Sequence, residues 1–123
     1  MTVVEQAGTL RIEVGGGVVK VWHGRSARNR AETNTVLGAI DRALEESEIG
    51  LLLFDSRDAD RTPAEVQDRI WQWLSRSTHI RKVATLLHCK ELAANARATA
   101  IGHGVLLRAF HDEDEARDWL LAI

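Results

Sequence analysis

The architecture of this protein is set at residues 50–57, which read Gly-Leu-Leu-Leu-Phe-Asp-Ser-Arg, and at Thr62-Pro63-Ala64-Glu65 shortly afterwards. A short apolar run bounded by glycine and by polar residues is typical of a central strand that is buried on both faces of a parallel sheet. Thr62 and Glu65 form a capping box, and Pro63 suits the first position of a helix. The chain is therefore expected to leave a buried strand, cross a polar loop and enter a helix. In open α/β sheets this carboxyl edge carries the functional groups.

Two strands joined by a tight turn are predicted upstream of this unit. Leu10, Ile12 and Val14 alternate with polar residues, which predicts a strand with one solvated face. Three glycines at residues 15–17 supply a turn, and residues 18–23 supply the second strand of a hairpin. A phosphate-binding loop is not indicated, because a β-rich run follows the glycines instead of a helix. We expect the first strand to lie antiparallel at an edge of the sheet.

Helices and strands alternate through the rest of the chain. Apolar spacing predicts a helix from Asn29 to about Glu46, ahead of the central strand. Downstream of the helix capped at Thr62, the pattern predicts strands over residues 82–88 and 105–110, a helix over residues 91–101, and a last helix capped by Asp112 and Glu115. The order β-β-α-β-α-β-α-β-α predicts one α/β domain over residues 1–123, with a mixed five-stranded sheet whose strands are parallel except for the first.

The central strand also predicts that the second face of the sheet is covered. If strands follow one another in chain order with right-handed crossovers, all helices lie on one face. The run from Leu51 to Phe54 is nevertheless apolar on both faces, so the second face must be covered. Either a homodimer or one helix crossing to that face would cover it.

Composition and charge exclude several classes of function. Sixteen basic and eighteen acidic residues give a formal net charge of −2, so no strong field is available to hold nucleic acid or an anionic membrane. The single cysteine, Cys89, excludes an intramolecular disulfide and zinc sites with two thiolates. No stretch has the ~18 apolar residues of a membrane span, and the first residues do not resemble a secretory signal. We expect a cytoplasmic protein without metal or cofactor.

The element order and four motifs resemble the SpoIIAA-like branch of the STAS superfamily. The motifs are Leu-Leu-Leu-Phe-Asp-Ser-Arg at residues 51–57, Thr-Pro-Ala-Glu at 62–65, Lys-Val-Ala at 82–84, and Phe-His-Asp-Glu-Asp-Glu-Ala at 110–116 before Trp119-Leu120. The resemblance implies a small bacterial cytoplasmic domain that has no cofactor and acts by binding. Some members of the family antagonise anti-sigma factors by partner switching, and the wider group is similar to lipid-transfer domains of the CRAL-TRIO kind.

The resemblance also implies a regulatory phosphorylation site at the start of the helix after the central strand. The family motif is Asp-Ser-Ser or Asp-Ser-Thr followed by glycine, whereas this chain has Asp55-Ser56-Arg57-Asp58. The motif indicates Ser56, and the position at the helix start indicates Thr62, so both stay open as targets of a partner kinase. Thr62 also has a purely structural role available to it as a helix cap.

Trp71 is the residue that we expect to contact another chain. Val66, Ile70, Trp73 and Leu74 share one helical face, and Trp71 lies ~110° away from its centre. An exposed tryptophan commonly anchors an interface or lines the lip of an apolar groove. Burial against the neighbouring helix is the alternative.

The leading hypothesis is a non-enzymatic STAS-type module that binds a protein partner and is regulated by modification. Its expected interaction or regulatory residues are Asp55, Ser56, Arg57, Asp58, Thr62 and Trp71. A carrier of a lipid or another apolar ligand is the alternative, because an Ala-rich helix from Leu92 to Ala100 would leave room for such a ligand. An enzyme would need His23, Asp55 and His88 to converge in one pocket, and no nucleophile and base are paired in the sequence. We therefore expect no catalytic residue.

Overall fold

The computed structural model describes residues 2–7, 10–23, 29–58, 63–77, 79–88 and 106–122. Within these residues the chain forms six strands and three helices. The strands are β1 (Thr2–Ala7), β2 (Leu10–Gly15), β3 (Val18–His23), β4 (Leu51–Asp55), β5 (Lys82–Leu86) and β6 (Leu107–Phe110). The helices are α1 (Arg30–Ser47), α2 (Ala64–Arg76) and α3 (Glu113–Leu121). The predicted α/β class is confirmed.

The strands form one mixed sheet in the order β1-β2-β3-β4-β5-β6. β1 pairs antiparallel with β2, and β2 pairs antiparallel with β3. The pairs β3–β4, β4–β5 and β5–β6 are parallel. The predicted hairpin is confirmed, and its turn depends on Gly16 and Gly17, whose φ angles of 61° and 77° lie in the region that glycine adopts without steric cost.

The sheet contains one strand more than the five that were predicted. The additional strand, β1, lies outside β2, so the strand expected at the edge is second in the sheet. Residues 2–7 carry no period-two alternation that would have revealed a strand. They form a strand because their backbone pairs with that of β2, which depends on the tertiary structure and not on their own sequence pattern.

Both faces of the sheet carry helices and a separate apolar core. Strand alternation directs one set of side chains towards α1 and α2, and the other set towards α3. The first core contains Ile12, Val19, Val21, Ile40, Leu44, Leu52, Trp73, Leu74 and Val83. The second contains Val18, Leu51, Leu53, Ala84, Leu86, Phe110, Ala116 and Leu120. Of the two ways to cover the second face, a helix that crosses to it is the one observed.

Local signals at the helix ends mostly match the prediction. Asn29 accepts a hydrogen bond from the backbone N–H of Glu32 at 2.8 Å, and Asp112 accepts one from that of Glu115 at 3.1 Å. α2 begins at Ala64. Pro63 was predicted at the first position of this helix, and it instead occupies the N-cap position, one residue before the helix begins. Thr62, Cys89 and the helix predicted over residues 91–101 lie outside the described residues. No described helix combines the length and the apolar character that a membrane span requires.

α3 is fixed over the sheet at its carboxyl end by a lysine from β5. Lys82 Nζ donates to the carbonyl oxygens of Trp119 and Ala122, at 2.9 and 2.8 Å. The same ammonium lies 5.1 Å from the centroid of the Trp119 ring. A cation at this end of a helix also interacts favourably with the helix dipole. The amino end of α3 is thereby directed to the carboxyl edge of the sheet.

Candidate functional site

Polar side chains of β3 and β4 meet the first turn of α3 at the carboxyl edge of the sheet. Lys20 pairs with Leu53, and Trp22 pairs with Asp55, in the parallel register of β3 and β4. Since Leu53 belongs to the core beneath α3, these side chains lie on the α3 face. We call the group formed by Lys20, Asp55, Arg57, Glu113 and Arg117 the charged rim.

Asp55 is buried and is held by the arginine two residues later. It is 5% exposed, and its carboxylate accepts hydrogen bonds from Arg57 Nε at 3.0 Å and from Arg57 Nη2 at 2.9 Å. The backbone N–H of Arg57 donates to Oδ1 at 3.2 Å, and Lys20 Nζ lies 3.9 Å from Oδ2. A bidentate pair of this kind combines strength with a defined geometry. Asp55 therefore fixes the start of the loop after β4.

Glu113 connects this pair to α3. Its Oε1 accepts a hydrogen bond from Lys20 Nζ at 2.9 Å and lies 3.5 Å from Arg57 Nη2. Its Oε2 accepts a hydrogen bond from Arg117 Nε, also at 2.9 Å, one turn further along α3. Three cations thus face two carboxylates, and the charged rim joins β3, the loop after β4 and α3.

The electrostatics of the charged rim keep both carboxyl groups ionised. Burial by itself would raise the pKa of Asp55, but the hydrogen bonds and charge of Arg57, aided by Lys20, lower that pKa overall. Burial acts on Glu113 in the same direction, and Lys20 and Arg117 outweigh it and lower its pKa. The hydrogen bond to Asp55 raises the pKa of Arg57. Both carboxylates are therefore ionised and ion-paired near neutral pH.

Two further contacts hold residues 56–58, the described part of the loop after β4. Trp22 Nε1 donates to Asp58 Oδ2 at 2.8 Å, and the backbone N–H of Ser56 donates to the carbonyl oxygen of Leu86 at 3.0 Å. The loop after β4 is therefore tied to strands on both of its sides. The sequence analysis did not single out Trp22. Because Lys20 and Trp22 are two residues apart, their side chains lie on the same face of the strand, and this spacing is the signal that could have revealed Trp22.

The predicted interaction residues do not all belong to one surface. Asp55 and Arg57 belong to the charged rim, and Ser56 and Asp58 are their neighbours in the chain, with Asp58 bonded to Trp22. Thr62 falls outside the described residues. Trp71 is half-buried and packs against the core beneath α1 and α2, on the other face of the sheet from α3.

The three residues that an enzyme would have needed together are separated. His23 pairs with Leu10, whose side chain belongs to the core beneath α1 and α2, whereas Asp55 points to the α3 face. Asp55 is already bonded to Arg57, and His88 is exposed beyond the end of β5. Across the described ranges no three His, Cys, Asp or Glu side chains are grouped as a metal site would require.

The order of the strands and the placement of the helices define an α/β domain with the SpoIIAA-like fold. The structure is similar to that of an uncharacterized protein of the DUF3478 family with a SpoIIAA-like fold from Shewanella loihica. The two are 16% identical in sequence, their TM-score is 0.64, and the similarity covers 94% of this chain and 98% of that one. No protein-family model and no curated protein matches the sequence. The similarity establishes the fold that the sequence motifs implied, and the function has to be argued from the site.

Proposed function

We propose that this protein is a non-enzymatic, STAS-type interaction module, and that a protein partner docks on the charged rim and the adjacent Trp22. The observation that carries this proposal is the bidentate pair of Asp55 and Arg57. It holds a guanidinium in one orientation at the carboxyl edge of the sheet while 39% of the Arg57 side chain stays exposed. Both rim carboxylates are used in ion pairs, which favours recognition over acid–base chemistry.

The residues at this edge are of the kind that dominate interface energies. Arginine and tryptophan are enriched among interface hot spots because they combine large contact area with directed hydrogen bonds. Arg57 and Trp22 are both fixed by hydrogen bonds before any partner arrives. Such preorganisation reduces the side-chain entropy lost on binding and so favours affinity.

Ser56 gives the proposed docking a means of regulation. It lies between Asp55 and Arg57 in the chain and is half-buried at the same edge. A phosphate on Ser56 would place up to two negative charges beside Asp55 and compete with it for the Arg57 guanidinium. Partner switching would then work by releasing the loop from its fixed orientation. Thr62 stays the other candidate for modification, as the family resemblance implies.

The first test is native mass spectrometry of the protein purified from its own cells. We expect a ligand-free species, with phosphate on a fraction of the chains if Ser56 or Thr62 is modified. A retained lipid mass would instead favour the apolar-ligand carrier. The same spectrum reports whether the chain is a homodimer.

The second test is cross-linked affinity capture of the partner by the wild type and by variants of Trp22, Arg57 and Trp71. Trp22→Phe and Arg57→Met should each lose the partner that the wild type captures, because Arg57 belongs to the charged rim and Trp22 lies next to it. Trp71→Phe is the control, since Trp71 is also half-buried but belongs to the other face. Equal capture by all variants, with their folds verified by circular dichroism, would exclude the charged rim as the docking surface.

A further inference from the structure

A cleft of about 350 Å³ lies between α1 and the carboxyl end of α2, on the opposite face of the sheet from the charged rim. This volume lies at the lower end of the range found for small-molecule sites. The cleft is lined by Asp41, Glu45, Trp73, Arg76, Ser77 and His79. The proposed docking function makes no use of it.

The inner wall of the cleft is formed by the buried Trp73. Trp73 is 7% exposed, and its ring packs edge-on against Phe54 with the centroids 6.5 Å apart. Trp73 Nε1 donates to Asp41 Oδ1 at 2.9 Å, which fixes both the indole and the carboxylate. The second carboxylate oxygen of Asp41 has no hydrogen-bond partner among the described residues and is available to a ligand.

The charges of the cleft lie on two sides and do not pair with each other. Asp41 and Glu45 are four residues apart on α1, a spacing that places their side chains next to each other on one helix face. Arg76, in the last turn of α2, and His79 beyond it form the other side. Among the described residues, Glu45, Arg76 and His79 have no hydrogen-bond or ion-pair partner. Opposite charges that share a cleft without touching leave room for a ligand that bridges them.

We propose that this cleft binds a small basic amino acid of the arginine type. The cationic end of the ligand would lie against Asp41 and Glu45, and its carboxylate would lie against Arg76 and His79. Two carboxylates against one guanidinium favour a ligand that carries more positive than negative charge. A simple anion would be repelled by the carboxylates, and a metal ion would be repelled by Arg76. An apolar ligand would pair with none of the exposed charged side chains of Asp41, Glu45 and Arg76.

The test is a titration followed by the indole N–H resonances of the protein in two-dimensional ¹H–¹⁵N NMR. The Trp73 signal reports on the site directly, because its N–H is bonded to Asp41. L-arginine should shift this signal saturably. Citrulline, which lacks the guanidinium cation, should bind about tenfold more weakly or worse, and so should agmatine, which lacks the carboxylate that is to contact Arg76 and His79. N-acetyl-arginine amide represents an arginine within a peptide and should also bind more weakly than L-arginine.

Matched variants separate this site from general charge effects. Glu45→Gln should weaken L-arginine binding about tenfold, the loss expected for one charge-assisted contact. Arg76→Gln should reduce L-arginine to the affinity of agmatine. Glu46→Gln, an exposed neighbour of Glu45 on α1, should leave binding unchanged. The proposal would be overturned by the absence of a saturable shift, by citrulline or agmatine binding as well as L-arginine, or by Glu45→Gln having no effect. Equal binding of N-acetyl-arginine amide would assign the cleft to a peptide side chain and equally overturn it.

Discussion

Replacing Asp55 by alanine removes the anion on which the charged rim is organised. The substitution eliminates three hydrogen bonds from Arg57 and leaves two cations near the vacated position. Removing one partner of a fully buried ion pair costs about 3–5 kcal/mol. The Arg57 side chain is 39% exposed, so water replaces part of the lost interaction, and we expect a loss of stability of about 2–3 kcal/mol.

A double-mutant cycle isolates the pair itself. The four proteins are wild type, Asp55→Ala, Arg57→Ala and the double variant, and urea unfolding followed by far-ultraviolet circular dichroism gives the free energy of unfolding of each. We expect a coupling energy of about 1.5–2 kcal/mol between Asp55 and Arg57. The control cycle uses Arg11 and Glu13, whose ion pair is similarly short at 2.8 Å but has side-chain exposures of 46% and 20%. Surface pairs of that kind contribute less than about 1 kcal/mol.

The comparison of the two cycles shows whether burial and bidentate geometry strengthen the pair of Asp55 and Arg57. If the coupling between Asp55 and Arg57 is no larger than that between Arg11 and Glu13, burial and bidentate geometry do not strengthen the rim pair. The rim would then be an ordinary solvated set of charges. Arg57 would then not be held in a fixed orientation for docking.

Three further outcomes are expected. Folding lowers the pKa of Asp55 and of Glu113, so the unfolded chain binds more protons in acid than the folded one. The stability that these two carboxylates contribute is therefore complete above a pH of about 5 and is lost as the pH falls through their folded pKa values. Urea unfolding at stepped pH should show this loss in the wild type and a flatter profile in the Asp55→Asn, Glu113→Gln variant. Lys82→Met should lower the free energy of unfolding by about 1–2 kcal/mol and speed amide exchange in α3 more than in α1, because it removes the cation at the carboxyl end of α3. Gly50→Ala should cost about 1–3 kcal/mol in a thermal or urea melt, because the new Cβ would lie 2.8 Å from the backbone carbonyl oxygen of His79. Gly38→Ala should be neutral or stabilising, because a Cβ at this helical position would meet no atom within 4 Å beyond the adjacent backbone of its own helix.

The local elements follow from the sequence because their causes are local. The apolar run before Asp55 predicts a central strand, and that strand is flanked on both sides by parallel neighbours. Asn29 and Asp112 cap helices where their positions predict it. Each of these features depends on residues within a few positions of one another, so periodicity and capping rules are sufficient to find them.

The set of residues that forms the charged rim is only partly predictable, because sequence patterns relate residues that are close together in the chain. The residues from Asp55 to Asp58 were expected to work together, and they do lie together because they are consecutive. Lys20 and Glu113 are 93 positions apart in the chain, yet their charged atoms lie 2.9 Å from each other. No local pattern connects them, and neither was singled out from the sequence.

The sequence by itself determined the fold class, the hairpin, the buried β4 and the polar loop that leaves it. Only the tertiary structure decided that β1 joins the sheet edge, that α3 crosses to the second face, and that Lys20 and Glu113 complete the charged rim. The physical reason is the range of the interactions involved. Backbone preference and side-chain periodicity act between near neighbours, whereas strand partners, the choice of sheet face and ion pairs across elements depend on which distant groups packing brings together.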